Sequence, residues 1–425
     1  MQLVTDWLWS VILPVLLISA GVLYTVRLRG TPIIGIHKIL RDTYGSLLRG
    51  ADRHQHEIFA SALAATMGTG NLVGTALAIK TGGAGAVFWM WISALLGMVL
   101  VSAENLLSAQ FRSQSPDGTL TGGALAYLTH GLRTRLPAGM FAVFCIAAAL
   151  GMGNLVQSST IAQSTAAFGI PAPVTGILTA VCFGLVLFGG VSGIRKTAFR
   201  LMPLLCGLYL LGCTVLLCIH AAALPAALAR IFREAFGFRA AGCGFTASLL
   251  LHSMHIGLMR GIFSNEAGLG SSGLLHMDAD DKPQWKWAAA EVFADTVICC
   301  TATALVVLTA PNLHPEDSSA AQLLLQAFAG GIGKFAELFL AFCMICLAFA
   351  TMIGWYPCGL SAFRFLFGHQ NDAVFTALAI LAAFCGALGS PEWLWCFCDL
   401  CNGCMALPNL YGMFRLNKRI SAEQL

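Results

Sequence analysis

Long runs without a single charged residue constrain this chain more than any other feature. They extend over Ile58–Ile79, Thr81–Ala103, Leu136–Ile194, Leu201–Ala229, Ala240–Met259, Thr296–Pro315, Leu338–Phe363 and Ala373–Pro391. A helix needs about 20 apolar residues to cross the hydrocarbon of a bilayer, so the run from Leu136 holds two crossings, turning at Phe168–Gly176 (FGIPAPVTG). A first span over about Val4–Val26, a last over about Glu392–Phe414 and extension of the run from Ala240 to Ser271 bring the count to roughly eleven helices. Backbone groups in lipid find no water, which excludes open sheets and makes the expected fold class an all-α integral membrane protein.

Composition agrees. The chain is 57% hydrophobic and 10% charged, against about 25% charged in soluble domains, which excludes a soluble enzyme and a nucleic-acid binder. The first helix lacks an upstream basic region and a small-residue cleavage pattern, so it reads as a retained span. Six basic residues lie between Arg27 and Arg53, which places that linker in the cytoplasm by the positive-inside rule. Alternating from there puts 18 of the 24 Lys and Arg inside, the N-terminus outside and the C-terminus in the cytoplasm of a cell membrane protein. Arg230–Arg239 (RIFREAFGFR) cuts against the rule and reads as an amphipathic helix on the outer interface.

The 16 cysteines are densest at Cys396, Cys398, Cys401 and Cys404. At about 100° per residue these point in four directions around one helix, which suits packing and not a tetrahedral ion. His252 and His255 form an i, i+3 pair with no third ligand and no HExxH, a weak basis for a metalloenzyme. No cofactor and no enzymatic activity are expected.

Two spans are poor helices. Gly68, Gly70 and Gly74 crowd one around Thr69 and Asn71, and each glycine costs about 1 kcal/mol relative to alanine in a helix. The second is Arg260–Ser272 (RGIFSNEAGLGSS), five crossings later and therefore reversed in the membrane. Interrupted helices at matching positions of inverted halves point to a transporter's central site, where freed amides favour an anion and freed carbonyls a cation. The corresponding division is 1–52 for the first helix and basic linker, 53–222 and 223–417 for two five-helix repeats, and 418–425 for a cytoplasmic tail. Close packing by small residues accounts for Gly70 with Gly74 but not for Asn71 or Ser264–Asn265–Glu266.

The motifs GTGNLVGTALAIKTGGAGAVFWMWISALLGM, GMGNLVQSSTIAQS, RGIFSNEAGLGSS, DTVICCTATAL, TMIGWYPCG and NGCMALPN resemble the alanine or glycine:cation symporter family over about Trp7–Leu416. The resemblance implies a leucine-transporter-like (LeuT-like) 5+5 inverted repeat with one additional N-terminal helix. It also implies symport of small neutral amino acids such as alanine and glycine with sodium, or in some members protons, by alternating access. Carried over, it assigns substrate binding to Thr69, Gly70, Asn71, Gln157, Phe263, Ser264, Asn265 and Trp355. Sodium would use Ala64, Thr66, Met67, Asn71, Leu347 and Thr351.

The family pattern reads FST where this chain reads Phe349-Ala350-Thr351, so one hydroxyl ligand is replaced by Ala350. The stretch HMDADDKPQWKW from His276 also departs from the family and implies altered cytoplasmic gating. Intramembrane ionisable residues are functional candidates, so Arg260, Glu266, Asp295 and Asp399 are gating or structural candidates, with Glu266 and Arg260 as a possible pair. Glu104 and Glu337, near span ends, read as structural. Proton coupling with another small amino acid, and a non-transporting sensor on the same scaffold, remain as alternatives. Oligomeric state is left open.

Overall fold

The computed structural model describes residues 2–50, 52–114, 120–236, 245–277, 283–311, 313, 319–389 and 392–425. Among the described residues the regular structure is helical apart from a two-residue ribbon pairing Ser113–Gln114 (β1) with Leu120–Thr121 (β2). The first half comprises α1 (Gln2–Arg27), α2 (Ile36–Arg49), α3 (Arg53–Thr66), α4 (Gly70–Gly82), α5 (Gly85–Phe111), α6 (Leu136–Ala166), α7 (Ala172–Phe188) and α8 (Gly190–Ile219). After α9 (Leu224–Ala235) come α10 (Phe245–Asn265), α11 (Ser271–Leu275), α12 (Gln284–Thr309), α13 (Ala320–Ile332), α14 (Phe335–Phe367), α15 (Asp372–Ala387) and α16 (Glu392–Leu416).

Among the described residues, seven helices are long and apolar enough to cross a membrane, and the bent pair α3–α4 makes an eighth crossing. The other three expected spans fall on α7, α10 and α16, which are shorter or more polar. The largest boundary difference is at α12, expected from Thr296 and observed from Gln284. The charges that hid its first turns are partnered inside the protein: Lys286 Nζ is 2.8 Å from Asp42 of α2, and Glu291 is 3.0 Å from His276. A charged residue with such a partner does not end a span.

Helices of the two halves pack on their counterparts, α5 on α12, α6 on α14 and α7 on α15. Close approach depends on missing side chains. A Cβ on Gly354 of α14 would collide with the backbone of Ala64 and Ala65 in α3, and one on Gly257 of α10 with Ala86 in α5. In lipid, where apolar surface gives no hydrophobic drive between helices, such contacts supply the packing energy.

α1 has no counterpart and packs against α5, α10 and α16. Its Trp9 Nε1 donates to the Asp399 carbonyl at 2.9 Å and its Tyr24 hydroxyl to the Met413 carbonyl at 2.8 Å. α9 begins six residues before the stretch RIFREAFGFR and buries Ala227, Ile231 and Ala235. Its Glu234 accepts from Ala84 N at 2.7 Å, capping the start of α5. Gly237–Arg239 of that stretch, and Asp278–Lys282 of HMDADDKPQWKW, lie outside the described residues.

Candidate functional site

Both suspect spans are broken. α3 and α4 meet at 51° across Met67–Thr69. Asn71 is fully buried, and its side chain stabilises the break from within: Oδ1 accepts from Gly68 N at 3.1 Å. Its Nδ2 donates to Asp295 Oδ1 on α12 at 2.5 Å and to the Asp295 carbonyl at 3.1 Å. Asp295 Oδ2 accepts from Ser264 of α10 and from Thr296, each at 2.8 Å. One carboxylate thus joins residues flanking both breaks. Thr69 and Gly70 supply the first amides of α4, where the helix dipole favours an anion.

The second break runs over Glu266–Gly270, with Glu266 at φ 51°, Gly268 at 84° and Gly270 at 89°. Left-handed backbone is strained for glutamate, by about 1–3 kcal/mol, and persists where neighbours over-determine it. Here Trp355 Nε1 donates to Glu266 Oε1 at 3.1 Å and Ser271 Oγ to Oε2 at 3.2 Å. Trp355 itself is buried and presses on the backbone side of α6 at Gly153. The expected Glu266–Arg260 pairing is not the one formed: both Glu266 oxygens are engaged by Trp355 and Ser271, and Arg260 interacts with Asp399.

At the crossing of α3 and α14, Thr351 Oγ1 donates to the Leu347 carbonyl at 3.0 Å and sits directly against Gly68. The final carbonyls of a helix lack intrahelical partners. In α3, Leu63's is taken by Met67 N at 2.8 Å, which leaves those of Ala64, Ala65 and Thr66 to other partners. Ala64 and Thr351 thus sit at this crossing, with the Leu347 carbonyl one turn from Thr351, whereas Thr66 turns its hydroxyl to Glu291 and Met67 its sulfur to Cys206. Ala350 is completely buried there and adds no side-chain oxygen.

Other candidates face elsewhere. Phe263 packs on Trp9 of α1, ring centroids 5.4 Å apart. Asn265 is turned toward α5; its Oδ1 accepts from Ala267 N at 3.1 Å, and its Nδ2 has no partner among the described residues, beside a void of about 10 Å³ lined by Ser93 and Gly97. Gln157 Nε2 donates to the Met152 carbonyl at 3.2 Å while its Oε1 is buried without a partner among the described residues. His252 bonds the Thr81 carbonyl at 2.9 Å, whereas His255 interacts with Ser10.

Two polar networks were not legible beforehand. In one, Glu291 accepts from Thr66 at the end of α3 at 2.9 Å and meets His276 at 3.0 Å. His276 contacts Gln284, which exchanges amide hydrogen bonds of 2.7 and 3.0 Å with Gln55. In the other, Glu104 accepts from Asn409 at 2.8 Å beside the Gly268 and Gly270 amides, and Tyr127 donates to Asn409. The available signal was that Glu104 and Glu291 are carboxylates close to span ends.

A cavity of about 960 Å³ opens on the face that carries Arg135, Arg195 and Arg364. Its lining includes Ser61 and Pro357; at about 1.5 Å per residue, Ser61 lies about 9 Å from Met67. Neither Asn71, Ser264 nor Trp355 lines it. The cavity's lining therefore stops short of the residues that join the two breaks.

A model of the sodium:alanine symporter family matches residues 1–424. The sodium/alanine symporter AgcS of Methanococcus maripaludis is 32% identical over 99% of this chain and 95% of its own length. The probable sodium/glutamine symporter GlnT of Bacillus subtilis is 32% identical over 97% of this chain and 87% of its own. Among solved structures, the substrate-bound outward-open state of a Na+-coupled sialic acid symporter superposes with a TM-score of 0.58 at 16% identity. That match covers 94% of this chain and 87% of the other, and it is a likeness of fold, LeuT-like as the motifs implied.

Proposed function

Because the chain belongs to the sodium:alanine symporter family, a family of membrane transporters and not of enzymes, we propose that it carries small neutral amino acids, alanine and glycine foremost, together with sodium by alternating access. The observation that carries this reading is the junction at Asp295, where Asn71 from one broken helix and Ser264 from the other meet on a single buried carboxylate. Thr69, Gly70 and Asn71 would receive the substrate carboxylate, with Ser264 near the ammonium and Trp355 limiting side-chain size. Size discrimination of this kind is worth about 1–3 kcal/mol per methylene, so alanine, glycine and serine would overlap.

Sodium would sit at the α3–α14 crossing, among Ala64, Met67, Leu347 and Thr351, or instead nearer the substrate, at the Thr66 carbonyl and Asn71. Residues 53–222 and 223–417 would be the inverted repeats, with α3, α4, α5, α10, α11 and α12 rocking against the remainder. The basic face would be cytoplasmic and the N-terminus outside, so the cavity would be an inward-facing vestibule. Protein reconstituted in liposomes should take up labelled alanine under an inward sodium gradient and lose that uptake when choline replaces sodium. Absence of uptake of any small amino acid under either a sodium or a proton gradient would reject the reading.

Ala350 supports a second reading, in which protons replace sodium and the buried carboxylates carry them. Uptake that survives choline and follows an imposed pH gradient would favour it.

A further inference from the structure

The 960 Å³ cavity has a lining of uneven charge. Arg135, Arg195, Arg364, His130 and His369 contribute to it, and among the described residues no Asp or Glu does. Basic residues at a cytoplasmic membrane face ordinarily spread toward headgroups and water. These instead come from separate parts of the chain: His130 and Arg135 before α6, Arg195 in α8, Arg364 near the end of α14 and His369 just after it. They converge on one concave space together with Ser61, which is buried, and Thr129, whose buried hydroxyl has no hydrogen-bond partner among the described residues. Some of the charge is compensated from outside the lining, since Asp372 holds Arg364 at 2.7 Å and His369 at 3.5 Å, and Glu57 interacts with Arg195. Arg135 forms no ion pair among the described residues.

From this convergence we infer that the cavity holds a weak binding site for small carboxylate anions, separate from the broken-helix site and centred on Arg135 and Arg195. A guanidinium fork matches a carboxylate in two parallel hydrogen bonds, and a partly enclosed cavity focuses the field of several cations onto one anion. The space is far larger than a three-carbon acid needs, so the anion keeps part of its water and binds loosely. An amino acid leaving the broken helices would meet this field carboxylate first, while sodium entering from the same face would meet repulsion. The site follows from the cavity and its charges and stands whether or not alanine is the cargo.

The test is saturation-transfer NMR of acetate with the full chain in nanodiscs of neutral phosphatidylcholine. The expected result is transfer to the acetate methyl that falls at least fivefold in Arg135→Gln and is retained in Arg135→Lys, which preserves the charge, and in Asn71→Ala, which alters the central site. No transfer in the wild type, or equal transfer in Arg135→Gln, overturns the site. Displacement of acetate by alanine in the Asn71→Ala background supports the cargo's carboxylate as the ligand. Displacement only by inorganic phosphate, or only on adding anionic phosphatidylglycerol to the disc, overturns that assignment to the cargo. Acetate transfer in a protein that fails to take up alanine would count against the transport reading alone.

Discussion

Trp355 and Glu266, 89 residues apart in sequence, are joined by a hydrogen bond of 3.1 Å from the indole nitrogen to a carboxylate at the second helix break. The bond ties α14 to the strained turn after α10, holding together two elements that the proposed mechanism must separate.

Trp355→Phe should therefore release one oxygen of Glu266 into a site with no other donor for it among the described residues. An unsatisfied buried acceptor costs about 1–3 kcal/mol, and the strained backbone at Glu266 loses one of its supports. The melting temperature should fall, and initial uptake should drop about tenfold when normalised to folded protein, since 1.4 kcal/mol is a factor of ten. Unchanged melting and uptake would show that the indole bond does not hold the break.

Asp295→Ala should be more severe than Ser264→Ala. The carboxylate serves three side-chain donors on three segments, whereas Ser264 provides one of them. Loss of a shared acceptor leaves several buried donors unpaired, and such networks are coupled beyond the sum of their pairs. A double-mutant cycle of Asn71→Ala with Asp295→Ala, read by substrate-induced thermal stabilisation, should show non-additivity of at least about 0.5 kcal/mol.

Ala350→Ser adds one hydroxyl at a completely buried position next to Thr351. If the sodium shell lies at the crossing of α3 and α14, the sodium concentration for half-maximal uptake should fall. Unchanged sodium dependence with intact uptake would place the ion elsewhere.

The Asp42 carboxyl, outside the spans, is held below the usual carboxylate range, first by the hydrogen bond from Lys286 at 2.8 Å. Its stabilisation is therefore fully present above the unfolded carboxyl's pKa and disappears as pH falls through the lower folded value. The pair is partly exposed, so the contribution is at most about 1 kcal/mol. Asp42→Asn should lower the melting temperature by a few degrees or less at pH 7, and the difference from wild type should close as the buffer is taken to pH 3.

The apolar runs and the two glycine-interrupted stretches were readable because both are local. A charge ends a span within its own window, and a glycine weakens its own turn. Asn71, Ser264 and Asp295 were each visible as polar groups out of place, yet their convergence was not, since the donors lie 224 and 31 residues from the carboxylate. Glu104 was set aside as a span-end acid, although it faces Asn409, 305 residues away, beside the second break. Glu291 and Lys286 misled the reading of α12, because a charge neutralised by a distant partner looks the same in sequence as one facing water. Phe263 and Asn265 show the complementary limit: their motif was recognisable, but the presence of α1 beside Phe263 and of α5 beside Asn265 fixes where their side chains go.

The helix without a counterpart has one more consequence. Two inverted repeats that merely exchanged conformations would give outward- and inward-open states of equal energy, related by the pseudo-twofold axis. α1 rests mainly on α5, α10 and α16, with Trp9 lodged between Phe263 and the backbone at Asp399. Among the described residues no equivalent helix loads the opposite side, so under the proposed alternating access the two states would differ in energy before any ligand binds.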